Sequence, residues 1–212
     1  MLKLKVCGLT DPQNIKKVIE LEPDMIGLIF YSPSKRDVSD KGATELCEMI
    51  PSHIKRVGVF VDSPVNFISD VIEAFKLDVI QLYHDDMSSF QQLRSKVHII
   101  KAISISKEAD LLRTMDYITQ ADLFLFDTKG ENPGGNGKKF DWRILQNYEG
   151  KLPFIVSGGI DENDADAIKQ IQHAQFYGID INSKFETKPG LKNIKAIQHF
   201  KKELYANIEH AG

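Results

Sequence analysis

Cys7, in the run KVCG, and Asp127, in LFLFDT, each close an apolar, β-rich stretch and are the side chains best suited to moving a proton. A thiol ionised beside a cation serves as a base, and a carboxyl desolvated at the mouth of a fold serves as an acid. Each has a competing reading. Cysteine is among the most buried residue types and often acts as a small hydrophobe, and an Asp that ends a strand often only caps a turn. Alternation along the first run puts Lys5 and Cys7 on one face and Leu4 and Val6 on the other. The apolar pair suits a face packed on helices, so the lysine and the thiol should point the opposite way.

A second group suits an anion. Ser157-Gly158-Gly159 ends another apolar run and precedes IDEND, which opens a helix. Glycines let backbone N–H groups approach phosphate oxygens, and a helix N-terminus favours negative charge. Ser183, in DINSKF, stands in the next such loop. Arg36, in SPSKRDVS, is able to take a carboxylate bidentately where lysine offers a single point of charge, although a loop arginine is commonly just solvated. Gly134-Gly135-Asn136-Gly137 reads as a closing lid. His84 stands where it can meet a ligand, but the other histidines are scattered without metal-ligand spacing, so no metal site is expected.

Such residues need a frame that brings them together. Short apolar runs alternate with helix-period runs along the whole chain: KLKVCG, MIGLIF, RVGVFVD, VIQLYH, HIIKAIS, LFLFDT, FIVSGG and FYGIDIN. Between them lie DPQNIKKVIELEP, a helix over 40–50, SPVNFISDVIEAFKL, segments over 88–96 and 108–120, a short one from Asp141, DENDADAIKQIQ, and a last helix from Leu191 to about Leu204. Asp11 is a good N-cap and Pro12 suits the first helical position. Eight regular strand–helix units with nearly continuous apolar strands predict a parallel (β/α)8 barrel, a TIM barrel, as one domain over residues 1–212. A doubly wound open sheet is the alternative, but it seldom needs eight near-identical units and leaves two edges. The strand ends carry Cys7-Gly8, Tyr31, Asp62, Tyr83-His84, Ser104, Asp127, Ser157-Gly158-Gly159 and Asp180-Asn182-Ser183, a polar census with no counterpart at the other ends.

The chain has 212 residues, 42% hydrophobic, and a net charge of −3. Lysine and glutamate are interspersed, which argues against a nucleic-acid face or a membrane patch. Two cysteines, no charged-then-apolar leader and no apolar run of membrane-spanning length point to a cytoplasmic protein without a structural disulfide.

Taken together, KVCGLT, SPSKRDVS, RVGVFVD, FDTKG…GGNGKKFDW, VSGGIDENDA and IDINSKFETKPGLKN resemble phosphoribosylanthranilate isomerase of tryptophan biosynthesis, in collinear order over nearly the whole chain. The resemblance implies a single (β/α)8 barrel without cofactor or metal that acts, as a monomer or homodimer, on a small phosphorylated substrate. Its reaction is an Amadori rearrangement of N-(5-phosphoribosyl)anthranilate to the 1-deoxyribulose 5-phosphate adduct. By motif it implies Cys7 as general base, Asp127 as general acid and Arg36 on the anthranilate carboxylate. It further implies Gly158, Gly159 and Ser183 on the phosphate, and Asp180 as a substrate contact. Two stretches depart from the pattern. The usual Q-L-H-G is Gln81-Leu82-Tyr83-His84, and the usual D-V-S-S-G-V-E is Asp180-Ile181-Asn182-Ser183-Lys184-Phe185-Glu186. A lost glycine at Lys184 is expected to constrain the backbone near the phosphate.

Two rival readings fit the sequence less well. Indole-3-glycerol phosphate synthase resembles a barrel needing a lysine acid and a paired glutamate, where this chain offers Cys and Asp. A barrel that only binds phosphate needs neither Cys7 nor Asp127.

Overall fold

The computed structural model describes residues 1–39, 44–128 and 139–206, so the Gly134–Gly137 stretch, the start of the second helix and the last residues lie outside the described part. Eight parallel strands close on themselves in sequence order: β1 Lys3–Cys7, β2 Met25–Phe30, β3 Lys55–Val61, β4 Val79–Tyr83, β5 His98–Ile105, β6 Leu123–Thr128, β7 Phe154–Val156 and β8 Phe176–Ile181. β1 pairs with both β2 and β8, which removes every edge.

Alternation divides the strands into two cores. Met25, Val57, Val79, Ile100, Ala102, Leu125 and Ile155 fill the inside of the barrel. Leu4, Val6, Ile26, Leu28, Ile99, Ile103, Phe124 and Phe126 face outward into the larger core shared with the surrounding helices. Each such large side chain taken fully from water contributes about 1.5–3 kcal/mol.

Asp11 caps α1 (Pro12–Ile19) by accepting the Asn14 N–H at 2.7 Å, and Pro12 stands at the first turn, as the sequence leads one to expect. α3 spans Val65–Phe75 and ends on Lys76 in the left-handed conformation. The other connections are slighter than their periodicity predicts. α4 (Ala165–Lys169) has five residues and α2 is described over Thr44–Glu48, while Ser88–Ser95, Glu108–Asp116 and Trp142–Asn147 are 3-10 helices. Before the last helix, α5 (Ile194–Tyr205), stands a small antiparallel pair, β9 (Glu186–Lys188) and β10 (Leu191–Lys192), the second of them where the helix was expected to begin.

One device recurs at the N-terminal rim. Asp24, Asp78 and Asp122 each stand just before an even-numbered strand. Their carboxylates accept the backbone N–H of Leu4, Arg56 and Ile99 on the preceding strand at 2.8, 2.9 and 2.8 Å. These contacts fix the lower end of the barrel and leave the upper end for the chemistry.

Candidate active site

At the C-terminal ends of the strands a cavity of about 430 Å³ opens, lined by Cys7, Arg36, Gln81, Tyr83, Asp127, Ser157, Gly158, Gly159, Asp180, Asn182 and Ser183 among others. All seven residues singled out as site candidates therefore meet in one place, although they come from five different strand ends. A second cavity of similar size lies at the opposite rim, lined by Lys3, Asp24, Lys55 and Asp122, whose charges are already paired there.

Cys7 and Lys5 do point inward. Gly27 on β2 makes room for the thiol, since a Cβ there would come within 2.7 Å of Cys7 Sγ. Lys5 is fully buried and its Nζ lies 3.0 Å from Asp180 Oδ1, an ion pair outside hydrogen-bond geometry. Burial works against the ammonium, but Asp180 and Cys7 outweigh it and hold Lys5 above its ordinary pKa. The thiol differs from expectation. Burial pushes Cys7 up further than the neighbouring Lys5 pulls it down, so the net shift is away from thiolate. A cation beside a thiol does not suffice when burial strips most of the hydration from the thiolate.

Asp127 behaves as expected of a buried acid. Desolvation raises its carboxyl to about 6, opposed by the hydroxyl of Tyr83, which donates to Oδ2 at 3.0 Å. Gln81 Nε2 donates in turn to the Tyr83 oxygen at 3.5 Å, and Gln81 Oε1 is buried with no hydrogen-bond partner among the described residues. Neither Gln81 nor the Tyr83 contact was assigned a role from the sequence, although the i, i+2 spacing of 81 and 83 on β4 was enough to place both on the inner face.

Arg36 is neither solvated nor free. The loop carrying it is fixed by Ser34 Oγ, which accepts the Arg36 N–H at 3.1 Å, and by Asp37, whose carboxylate accepts the Tyr31 N–H at 2.8 Å. Its Nε donates to Glu186 Oε1 at 2.9 Å and its Nη2 to Oε2 at 2.5 Å. Glu186 is also met by Lys192 Nζ at 2.7 Å, and Lys192 reaches Asn182 Oδ1 at 2.7 Å. Burial pushes the Glu186 carboxyl up, but Arg36 and Lys192 together bring it below its ordinary value. The Nη1 edge of Arg36 takes no part in the contacts to Glu186, and the residue lines the cavity.

Gly158 and Gly159 have φ of +88° and +71°, and a Cβ at Gly158 would lie 2.4 Å from Thr128 Oγ1. Only glycine fits there. The helix expected to lend its N-terminus to an anion does not begin until Ala165, and Asp161 and Asp164 ahead of it are both bound by Lys139. The anion-binding potential of this wall thus rests on the glycine backbone and on Ser183, which opens a 3-10 turn after β8. Lys184 in that turn is not among the non-glycine residues with positive φ, so the missing glycine leaves no strain there. His84 turns aside, its Nε2 3.1 Å from the Ser63 carbonyl oxygen and its ring packed on Phe90. Among the described residues no cluster of His, Cys, Asp and Glu has the arrangement to hold a metal ion, and no helix is long and apolar enough to cross a membrane.

Comparison with known proteins places the chain among relatives of the same fold. A relative from Parabacteroides distasonis, N-(5'-phosphoribosyl)anthranilate isomerase, is 40% identical over 95% of this chain and 92% of its own. The crystal structure of phosphoribosyl anthranilate isomerase from Thermotoga maritima is 29% identical and superposes with a TM-score of 0.86 over 97% of this chain and 100% of that one. A crystal structure of a phosphoribosyl anthranilate isomerase in complex with reduced 1-(o-carboxyphenylamino)-1-deoxyribulose 5-phosphate is 26% identical, with a TM-score of 0.84 over 97% of this chain and 100% of that one. The sequence profile of N-(5'phosphoribosyl)anthranilate (PRA) isomerase matches residues 4–203, and with that match the chain belongs to the phosphoribosylanthranilate isomerase family.

Proposed function

We propose that this barrel converts N-(5'-phosphoribosyl)anthranilate to 1-(2-carboxyphenylamino)-1-deoxyribulose 5-phosphate, a step of tryptophan biosynthesis, with Asp127 as general acid and Cys7 as general base. The observation that carries the roles is the convergence, in one cavity, of a carboxyl raised to about 6 and a thiol beside a buried ammonium. Asp127 gives its proton to the ribose ring oxygen as the C1′–O bond breaks and the anilinic nitrogen forms an iminium ion. The Cys7 thiolate then takes the proton at C2′, and the C–H electrons close an enolamine that neutralises the nitrogen. Protonation at C1′ and loss of the enol proton give the ketone and restore both groups. Lys5 holds the negative charge that Cys7 must carry between turnovers.

Arg36 offers its Nη1 edge to the anthranilate carboxylate while Glu186 keeps the other edge in place. Gly158, Gly159 and Ser183 take the phosphate, and Asp180 orders Lys5 and Ser157 beside the sugar. We read residues 1–212 as one catalytic domain, working in the cytoplasm on a small phosphorylated substrate as a monomer or homodimer, without cofactor.

Because Cys7 ionises above Asp127, the competent form carries a protonated Asp127 and an ionised Cys7 and is a minor one. kcat/KM is then flat between the two midpoints, and its acid limb, near 6, belongs to Asp127. A coupled assay with phosphoribosylanthranilate tests the reaction, and Cys7→Ser and Asp127→Asn test the roles. Each should lose about 10²-fold or more in turnover while still binding a reduced product analogue. Near-normal turnover in either folded variant would make that residue core or turn cap instead.

A further inference from the structure

Tyr83 stands where the family pattern has histidine, and its hydroxyl points at the acid. We propose that Tyr83 is a positioning residue for Asp127: it holds Oδ2 of the carboxyl with its phenolic hydrogen and leaves Oδ1 to the substrate. The inference rests on the reading of Asp127 as the general acid.

The geometry is directional. Gln81 Nε2 donates to the phenolic oxygen at 3.5 Å, which turns the phenolic hydrogen toward Asp127, 3.0 Å away. The phenol itself cannot be the base. Burial raises it well above its ordinary value, and Asp127 and Asp180 push in the same direction, so it remains a donor throughout the neutral range. After Asp127 has given up its proton, the new carboxylate accepts from a donor already in place, with no water to reorganise. That is the form of stabilisation a buried acid needs at the moment it ionises. The other groups facing Asp127 are Asp180 on β8, which raises it, and Lys5 on β1, which lowers it less strongly, together with the backbone N–H of Thr128; Cys7 faces Tyr83 from β1. Among these, Tyr83 is the one neutral side-chain donor, and it can be altered without disturbing the Lys5–Asp180 pair.

Tyr83→Phe keeps the ring and removes the hydroxyl, while 3-fluorotyrosine at position 83 keeps the hydroxyl and makes it a stronger donor. The readout is the midpoint of Asp127 by ¹³C NMR on protein carrying carboxyl-labelled aspartate, its resonance assigned by loss in Asp127→Asn. A hydrogen bond to a charged group corresponds to roughly one to two pH units, so the midpoint should rise by about that much in Tyr83→Phe and fall with 3-fluorotyrosine. The acid limb of kcat/KM should move in parallel, with KM for phosphoribosylanthranilate little changed. A midpoint that stays in place, or one that moves while the acid limb does not, overturns the proposal. A raised KM with an unmoved midpoint also overturns it and makes Tyr83 a wall of the cavity. The reading of Asp127 itself fails separately, through retained turnover in Asp127→Asn.

Discussion

Lys5 and Asp180 lie opposite one another in the register of β1 and β8, and their charges meet 3.0 Å apart inside the closed barrel. A fully buried pair of this kind returns little net stability, because both ions give up their hydration. What it gives here is a fixed ammonium next to Cys7, two residues along the same strand and on the same face.

Lys5→Met should therefore raise the pH at which Cys7 ionises. It should also cost about 3–5 kcal/mol of stability, since Asp180 is left buried without its ion-pair partner. In Lys5→Met/Asp180→Asn most of the stability returns, yet the thiol stays above wild type, because Lys5 acts on the sulfur more strongly than Asp180 does. The pH dependence of iodoacetamide alkylation reads this directly. Cys47 stays silent, its thiol pushed up to about 12 by burial. Equal midpoints in wild type and double variant would remove Lys5 from the ionisation of Cys7.

Arg36→Ala should chiefly raise KM, by a factor corresponding to about 2–3 kcal/mol at most, with kcat nearly kept. Arg36→Lys should recover little of it. One ammonium cannot hold Glu186 and a ligand carboxylate along two edges as the guanidinium can. Substrate kinetics on the two variants decide, and a lysine variant with wild-type KM would show that charge alone is used.

The barrel was legible because every strand is buried on both faces and nearly every one reads as an unbroken apolar run ending in a polar residue. The inward direction of Cys7 followed from the alternation with Leu4 and Val6. The thinness of the outer layer was not legible: 108–120 has helical spacing, but the chain there forms a 3-10 segment over Glu108–Asp116. Lys192 and Glu186 escaped notice for a different reason. They sit on β9 and β10, strands of three and two residues around Pro189-Gly190, too short to carry any period. Their partner Arg36 lies 150 residues from Glu186, and no local pattern reports a contact at that separation. The upward shift of Cys7 depends on how completely the barrel mouth excludes water, which residue types alone do not reveal.

Asp127 should make the folded protein less stable than it could be, and the sign can be worked out. Its carboxyl titrates at about 6 when folded against an ordinary 3.8, so between these values the folded state holds a proton that the unfolded chain has released. Stability accordingly falls as pH rises through this window and is constant above it. The full difference corresponds to about 3 kcal/mol, of which roughly 1 kcal/mol is already lost near pH 4.5. Asp127→Asn has nothing to ionise, and its side-chain oxygen can still accept from Tyr83. Urea unfolding should show it more stable than wild type by about 3 kcal/mol near pH 8, but by only about 1 kcal/mol near pH 4.5. An advantage that is the same at both pH values would arise from packing rather than from the proton. The inactive variant being the more stable one at neutral pH is what a carboxyl kept for acid chemistry requires, since the burial that raises it toward the working range is also what the fold must bear.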